Sequence, residues 1–225
     1  MLIIMNHEEK VREVREEDID RVYEICKQVE LTSNPIAATK YGFLIKEYGK
    51  YPETKDKLKS HVNNTYFYLY EENNVLGFIL GCSEQKWRGE RPAWRDSNIK
   101  WNPEKLEELG IKKIDDIIAN KNFAMIERIA VEPKTRRRGI GSKLFNQFFK
   151  EVQEDKIRYV FSKIVEEVFK EGKPLGMKNE VSIKAHQKVG MNRVGESKEP
   201  WRYDKSFLGD KGTFLDGVYL IDLKR

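Results

Sequence analysis

The sequence has few of the residues that build metal or disulfide sites, with two cysteines and three histidines among 225 residues. Cys26 and Cys82 lack metal or redox spacing, which favours a reducing, cytoplasmic setting and two ordinary core residues. His7, His61 and His186 are too scattered to predict a zinc site. No apolar run approaches the roughly 20 residues of a membrane span, and the beginning, MLIIMNHEEKVREV, is too short and too soon acidic for a signal peptide. The sequence therefore predicts no metal ion and no membrane partner.

The positive charge is concentrated in one segment. The chain carries 42 Lys and Arg against 37 Asp and Glu, a net charge of +5. Residues 134–143, KTRRRGIGSK, hold five basic residues and no acidic one, which leaves 37 of each sign elsewhere. A nucleic-acid-binding protein would spread basic residues over a whole face. The balance predicts one localised anion site and argues against a nucleic-acid partner.

We call residues 134–143 the phosphate loop, because their setting is typical of phosphate binding. They follow a strand-like run, FAMIERIAV, and precede LFNQFFKEV, whose apolar residues recur on one helical face. Gly139 and Gly141 permit a tight turn with N–H groups at a helix N-terminus, where partial positive charge favours phosphate. The arginines at 136–138 add permanent cations. A bare RRR run is more often a solvated turn, but the flanking elements favour a pyrophosphate site.

Two common phosphate loops do not fit this segment. A dinucleotide fingerprint needs a third glycine at position 144, where the chain has Leu144. A P-loop needs Lys and then Ser or Thr directly after its last glycine, and here the order is Gly-Ser-Lys.

The segment VEPKTRRRGIGSKL, residues 131–144, closely resembles the coenzyme A loop of the GCN5-related N-acetyltransferases (GNAT). The core of that loop is Arg/Gln-x-x-Gly-x-Gly/Ala, and Arg136, Gly139 and Gly141 fall on its three positions.

A second GNAT motif, Asn-x-x-Ala-x-x-x-Tyr-x-x-x-Gly-Phe, resembles NEVSIKAHQKVGM at residues 179–191. Three residues match or nearly match, Asn179, Gly190 and Met191. Ser182 and His186 replace the usual Ala and Tyr. Together the two motifs make the resemblance specific, and it covers roughly residues 123–196.

The order of elements predicts an α+β fold. A strand and a helix starting near Glu16–Asp18 are followed by a hairpin within residues 65–84, a strand–helix–strand–helix unit from 123 to 189, and two closing strands. The resemblance implies a GNAT-like, mostly antiparallel sheet with helices on both faces, splayed at the cofactor-binding strands. We expect one domain over residues 1–225, with an insertion at about 86–122.

The resemblance implies acetyl-CoA as the cofactor. In the family the backbone of the strand before the loop pairs with the pantetheine arm, a role that falls here to Ile129 and Val131. The cofactor-binding residues carried over by the resemblance are Ile129, Ala130, Val131, Arg136, Arg137, Arg138, Gly139, Ile140, Gly141, Ser142, Asn179, Ser182 and His186.

Glu127 is the candidate general base, since some family members carry a carboxylate at this position. Strict alternation along residues 123–131 puts Met125, Ile129 and Val131 on one face, and Ala124, Ile126 and Ala130 on the other. A carboxylate in so apolar a strand needs a partner or a purpose, and burial would raise its pKa from about 4.3. The alternative is an ion pair with a neighbouring Arg or Lys.

His186 is the candidate proton donor to the CoA thiolate, because it stands where the family has Tyr. Helical spacing places Ser182 and His186 on one polar stripe, with Asn179 at the N-cap position just before the first turn, so the same face would present all three polar groups. An imidazole with a pKa near 6.5 donates a proton at neutral pH. The alternative is a packed helix residue, with Tyr203 in reserve as the acid.

The predicted function is N-acetyl transfer from acetyl-CoA to a primary amine by direct attack in a ternary complex. The alternative is a non-catalytic acyl-CoA-binding or sensing module of the same fold. By resemblance, the acceptor site is formed by residues 32–60 and 199–214, and the acceptor is a small-molecule or peptide amine; a homodimer is left open. The tryptophans at 87, 94 and 101 make the insertion either a wall of that site or an excursion anchored on the core.

Overall fold

The computed structural model describes residues 10–31, 35–46, 48–86, 99–203, 206 and 208–224. Their strands are β1 (Lys10–Glu13), β2 (Tyr66–Glu72), β3 (Asn74–Ser83), β4 (Ile99–Trp101), β5 (Phe123–Val131), β6 (Tyr159–Lys170), β7 (Lys173–Pro174), β8 (Asn192–Ser197), β9 (Trp201–Arg202) and β10 (Gly212–Asp222). Their α-helices are α1 (Ile19–Gln28), α2 (Pro35–Tyr41), α3 (Glu53–Lys59), α4 (Pro103–Glu108), α5 (Ile114–Ala119), α6 (Ile140–Glu154) and α7 (Glu180–Lys188).

The strands form one sheet in the order β1-β2-β3-β5-β6-β10-β8-β4, with β7 beside β6 and β9 beside β10. The pairing of β5 with β6 is parallel, and the other strand pairings in the described residues are antiparallel. This confirms the predicted mostly antiparallel α+β sheet. The closing strands β8 and β10 pair as expected, but β10 enters the sheet between β6 and β8.

Helices cover both faces of the sheet, as predicted. On one face α6 packs into a cluster that we call core A, burying the apolar stripe Leu144, Phe145, Phe148, Phe149 and Val152. On the opposite face α1 and α3 pack into a second cluster, core B, around Ile25, Leu58 and Phe78. In the part of the chain that is described, no helix is long and apolar enough to cross a bilayer.

The sheet opens between β5 and β6. The two strands pair only over Phe123–Ile126 and Tyr159–Ser162. Beyond these residues β5 stays paired with β3, and β6 stays paired with β10. Since each strand keeps its outer neighbour while losing its inner one, a gap opens toward their carboxyl ends. This confirms the predicted splay.

A β-bulge at Glu127 changes which residues of β5 share a face. Leu80 pairs with Arg128 and Gly81 with Ile126, so Glu127 is the extra residue. The prediction that Met125 shares a face with Ile129 and Val131 is therefore wrong. Ile129 and Val131 pack against core A together with Ala124 and Ile126, whereas Met125 packs elsewhere and Ala130 lies in core B. The extra residue shifts the two-residue period by one position.

The described part of the insertion extends the sheet. Strand β4 pairs with β8 at the sheet edge, and α4 and α5 bury Leu106, Ile114 and Ile117 against the strands. Trp101 packs on Phe161 with ring centroids 6.3 Å apart. These contacts favour the anchored excursion over the wall of an acceptor site. The residues at 87–98, including two of the three tryptophans, lie outside the described residues.

Gly81 allows α6 to lie close to the sheet beside the bulge. A Cβ at this position would lie 2.4 Å from Met125 O and 2.4 Å from Phe148 Cε2. We expect Gly81→Ala to lower the free energy of unfolding by about 1–3 kcal/mol, because backbone or helix must shift. Gly49→Ala is the matched control, since its Cβ would come no closer than 4.0 Å to Glu30 Oε1. Urea unfolding measures both changes, and equal losses would contradict this account.

Candidate active site

A cavity of about 600 Å³ occupies the gap between β5 and β6. Its walls include Ser162, Phe145 and His186 on the core A side, and Val29 and Leu44 on the opposite side. The gap therefore connects the two faces of the sheet. Thirteen predicted site residues line it: Glu127, Ile129, Ala130, Val131, Arg136, Arg137, Gly139, Ile140, Gly141, Ser142, Asn179, Ser182 and His186.

The phosphate loop lies at one end of this cavity, where α6 begins. Gly139 is the N-cap of α6 with a left-handed φ of 80°, a conformation that glycine adopts without strain. A Cβ on Gly139 or Gly141 would meet nothing within 4 Å, so their backbone is open to a ligand. The buried Ile140 side chain fixes the helix start in core A. Backbone N–H groups at this helix end suit a phosphate group.

The three arginines of the loop have different environments. Arg137 is exposed and lines the cavity. Arg136 also lines it, but its Nε donates to Val131 O at 3.1 Å and its guanidinium bonds Tyr41 O. Arg138 does not line the cavity and instead pairs with Glu72. The structure therefore separates Arg138 from the other predicted phosphate ligands.

Asn179 holds the segment after α2 rather than capping α7. It stands at the predicted N-cap position, yet its side chain makes no capping bond. Its Oδ1 accepts from Phe43 N at 3.3 Å, and its Nδ2 donates to Phe43 O at 2.8 Å. Gly42, with φ 66°, makes room for this contact, since a Cβ there would lie 2.9 Å from Asn179 Oδ1. A predicted cofactor residue thus also positions a wall on the opposite side of the gap.

His186 is buried between α6 and the sheet, with 1% of its surface exposed. Its ring lies 4.9 Å from the ring of Phe145, and burial lowers its pKa to about 4. Its Nδ1 lies 2.7 Å from Ser182 O, so this nitrogen carries the proton and donates to the carbonyl. The prediction of an imidazole titrating near 6.5 is therefore wrong, because desolvation disfavours the charged ring.

Glu127 lines the cavity as the half-buried bulge residue. Its Oε1 accepts a hydrogen bond from the Cys82 thiol at 3.5 Å. The reserve acid, Tyr203, is not among the residues that line the cavity and packs beside Trp201, with ring centroids 6.0 Å apart. The structure therefore places the candidate base in the gap and the reserve acid outside it.

Lys163 and Asp216 form an ion pair in the cavity wall that the sequence analysis missed. Lys163 Nζ lies 3.3 Å from Asp216 Oδ2, and 2% of Asp216 is exposed. Burial raises the pKa of Asp216, an effect that Lys163 opposes. The sequence did contain a signal for this pair, because Lys163 and Asp216 each lie within a mostly apolar strand, β6 and β10 respectively. Register was needed to bring them together, since Val165, two residues beyond Lys163, pairs with Asp216.

The acetyltransferase (GNAT) family model matches residues 33–191, which is more than half of the chain. The protein belongs to the GNAT family. No curated protein sequence matches the chain.

Solved structures share this GNAT fold at low sequence identity. YncA of Salmonella typhimurium, solved with its cofactor acetyl-CoA, is 13% identical over 96% of this chain and 94% of its own, with a TM-score of 0.54. PaiA N-acetyltransferase of Thermoplasma acidophilum, in complex with coenzyme A, is 14% identical over 96% and 99%, with a TM-score of 0.54. Drosophila melanogaster polyamine N-acetyltransferase is 11% identical over 96% and 100%, with a TM-score of 0.53. Acetyl-CoA as the expected cofactor agrees with the family.

The buried imidazole of His186 makes stability depend on pH. Unfolded histidine titrates near 6.5, whereas burial lowers the pKa of His186 to about 4. Between these values the unfolded chain binds more protons, so the free energy of unfolding falls as pH drops. We expect the loss from pH 7 to pH 4.5 to be smaller in His186→Gln than in wild type by about 2 kcal/mol. Equal losses in urea titrations would show that the ring is solvated.

The arginine environments make a second prediction, for coenzyme A affinity. Arg137→Gln should weaken binding by roughly 10- to 100-fold if this exposed cation contacts a phosphate. Arg138→Gln is the matched control and should change affinity little, because Arg138 pairs with Glu72 outside the cavity. Calorimetry with coenzyme A and with acetyl-pantetheine, which lacks the nucleotide phosphates, separates phosphate contacts from other effects. Equal weakening by both substitutions would contradict the assignment.

Proposed function

We propose that this protein transfers the acetyl group of acetyl-CoA to a primary amine by direct attack in a ternary complex. The observation that carries the proposal is the cavity through the sheet. It has the phosphate loop at one end and a carboxylate, Glu127, in the gap. Because the gap opens to both faces, two ligands can meet there without sharing an entrance.

The residues present fit the cofactor. The open backbone of Gly139 and Gly141 and the Arg137 side chain would hold the phosphates. The inner edge of β5 beyond Ile126, which β6 no longer covers, would pair with the pantetheine amides through Ile129 and Val131. When bound there, acetyl-CoA supplies an activated acetyl thioester.

The two cysteines do not suit a covalent route through the enzyme. Burial raises the pKa of the Cys82 thiol, and the neighbouring Glu127 carboxylate raises it further. Burial likewise raises the pKa of Cys26 to about 12. Both side chains are therefore thiols at neutral pH, and a thiol is a poor nucleophile compared with a thiolate. This supports direct attack by the amine.

Glu127 would accept the proton of the attacking amine, directly or through water. A backbone N–H of β5 at the gap would face the thioester oxygen and stabilise its developing charge. His186 remains neutral at pH 7 and its N–H is bonded to Ser182 O, so we do not assign it the acid role. The leaving group is the CoA thiolate. Because an alkyl thiol such as that of cysteine has a pKa near 8.5, the thiolate can leave without a strong acid, and water can then protonate it.

The non-catalytic binding module is the rival function. Such a module would share the phosphate loop but would need no carboxylate in the gap, and Glu127 lies there at a bulge, a feature enriched beside active sites. We propose a small-molecule or peptide amine as the acceptor and a cytoplasmic place of action. The free, buried state of Cys26 and Cys82 supports that setting.

Replacing Glu127 tests catalysis apart from cofactor binding. We expect Glu127→Gln to lower kcat with a broad amine panel by about 10²- to 10⁴-fold, as loss of a general base does. The affinity for acetyl-CoA should remain within about twofold, since Glu127 contacts no phosphate in this account. Glu104→Gln, an exposed residue of α4, is the control. Acetyl-CoA binding without transfer to any amine in wild type would instead support the sensing module.

A further inference from the structure

Arg128 is a cavity cation that the mechanism above does not use. It follows the bulge directly, is half-buried and lines the cavity. It interacts electrostatically with Tyr48 and Cys26, two residues of core B, so it lies on the face opposite the phosphate loop's helix. This is the face from which the acceptor would enter.

The guanidinium of Arg128 has no ion-pair partner in the part of the chain that the structure describes. Among the described residues, no carboxylate lies within 4.0 Å of it and no side-chain hydrogen bond engages its five N–H donors. Lys163, another cation among the described residues that line the cavity, pairs with Asp216. The neighbouring Glu127 carboxylate acts on it electrostatically and helps to raise its pKa, but makes no described ion pair or hydrogen bond with it. A partly buried guanidinium without a contacting anion is costly. Its fork of donors matches a carboxylate.

Glu127 and Arg128 present opposite charges side by side. They are consecutive residues, both line the cavity, and no ion pair joins them among the described contacts. The bulge lets two successive residues serve the same opening. A ligand that met both would carry a cation and an anion on neighbouring atoms. An α-amino acid carries its ammonium and its carboxylate on one carbon.

Apolar side chains line the rest of this end. The described apolar residues that line the cavity here include Val29, Leu44, Ile45, Val165 and Trp201. They could bury an apolar substituent, and burying one leucine-sized side chain favours binding by about 1.5–3 kcal/mol.

Resting on the proposed function, we infer that the acceptor is a free α-amino acid with an apolar side chain, whose carboxylate binds Arg128 while its amine faces Glu127. A peptide N-terminus or a polyamine lacks that carboxylate. Such acceptors would leave the Arg128 donors unpaired, and a site built around a charged group rejects analogues that lack it.

The test compares leucine with leucinamide and isopentylamine, which lack the carboxylate, within a panel of apolar amino acids, diamines and short peptides. Acetyl transfer is followed by release of CoA and by product mass. We expect kcat/KM for leucine to exceed that for leucinamide by at least about tenfold. Amine basicity cannot produce this order, because the amide has the less basic amine and hence more of the reactive free base.

Variants of Arg128 test the assignment. Arg128→Gln should lower kcat/KM for leucine by at least about tenfold and leave that for leucinamide within about twofold. Arg128→Lys should give a kcat/KM for leucine between those of wild type and Arg128→Gln, because lysine keeps the positive charge but lacks the paired N–H donors of the guanidinium. Arg15→Gln, at an exposed arginine before α1, should change neither.

The outcomes separate the two proposals. A preference for leucinamide or diamines, or an equal loss for all acceptors in Arg128→Gln with unchanged acetyl-CoA binding, would overturn the amino-acid assignment and leave N-acetyl transfer standing. No transfer to any amine of the panel would overturn the proposed function itself.

Discussion

The loss of hydrogen bonding between β5 and β6 beyond Ile126 is the feature around which the rest of the candidate site is arranged. Buried backbone groups need partners, so a strand edge left open inside a sheet is a place for a ligand to pair. Each strand keeps its outer neighbour, and the gap can therefore persist without the sheet falling apart. The phosphate loop, α7 and the segment after α2 are all arranged around this opening.

The bulge at Glu127 brings two charged side chains to the opening. Without the extra residue, strict alternation would put Ile129 and Val131 on the face opposite Ala124 and Ile126. With it, these apolar residues stay together in core A, while Glu127 and Arg128 line the gap. Because of this one extra residue, β5 keeps a continuous apolar face toward core A and also carries two charged side chains that line the gap.

Two features link the faces of the sheet across the gap. Asn179 of α7 bonds both backbone groups of Phe43, and Arg136 of the phosphate loop bonds Tyr41 O. The Tyr41–Phe43 segment leads to Leu44 and Ile45 on the other side of the cavity. Residues that belong to the cofactor motifs therefore also position part of the opposite wall.

The sequence by itself determined the glycine turn of the phosphate loop, the amphipathic helix after it and the α+β class, because glycine placement and apolar periodicity are local properties of the chain. The resemblance of two motifs to those of GNAT proteins indicated the family and the mostly antiparallel sheet. Only the tertiary structure decided the rest. It put Arg138 against Glu72, buried His186 until its pKa fell to about 4, and paired Lys163 with Asp216. Those outcomes depend on strand register, on a bulge of one residue and on desolvation, which arise from contacts between segments far apart in sequence. Local sequence patterns therefore do not predict such contacts.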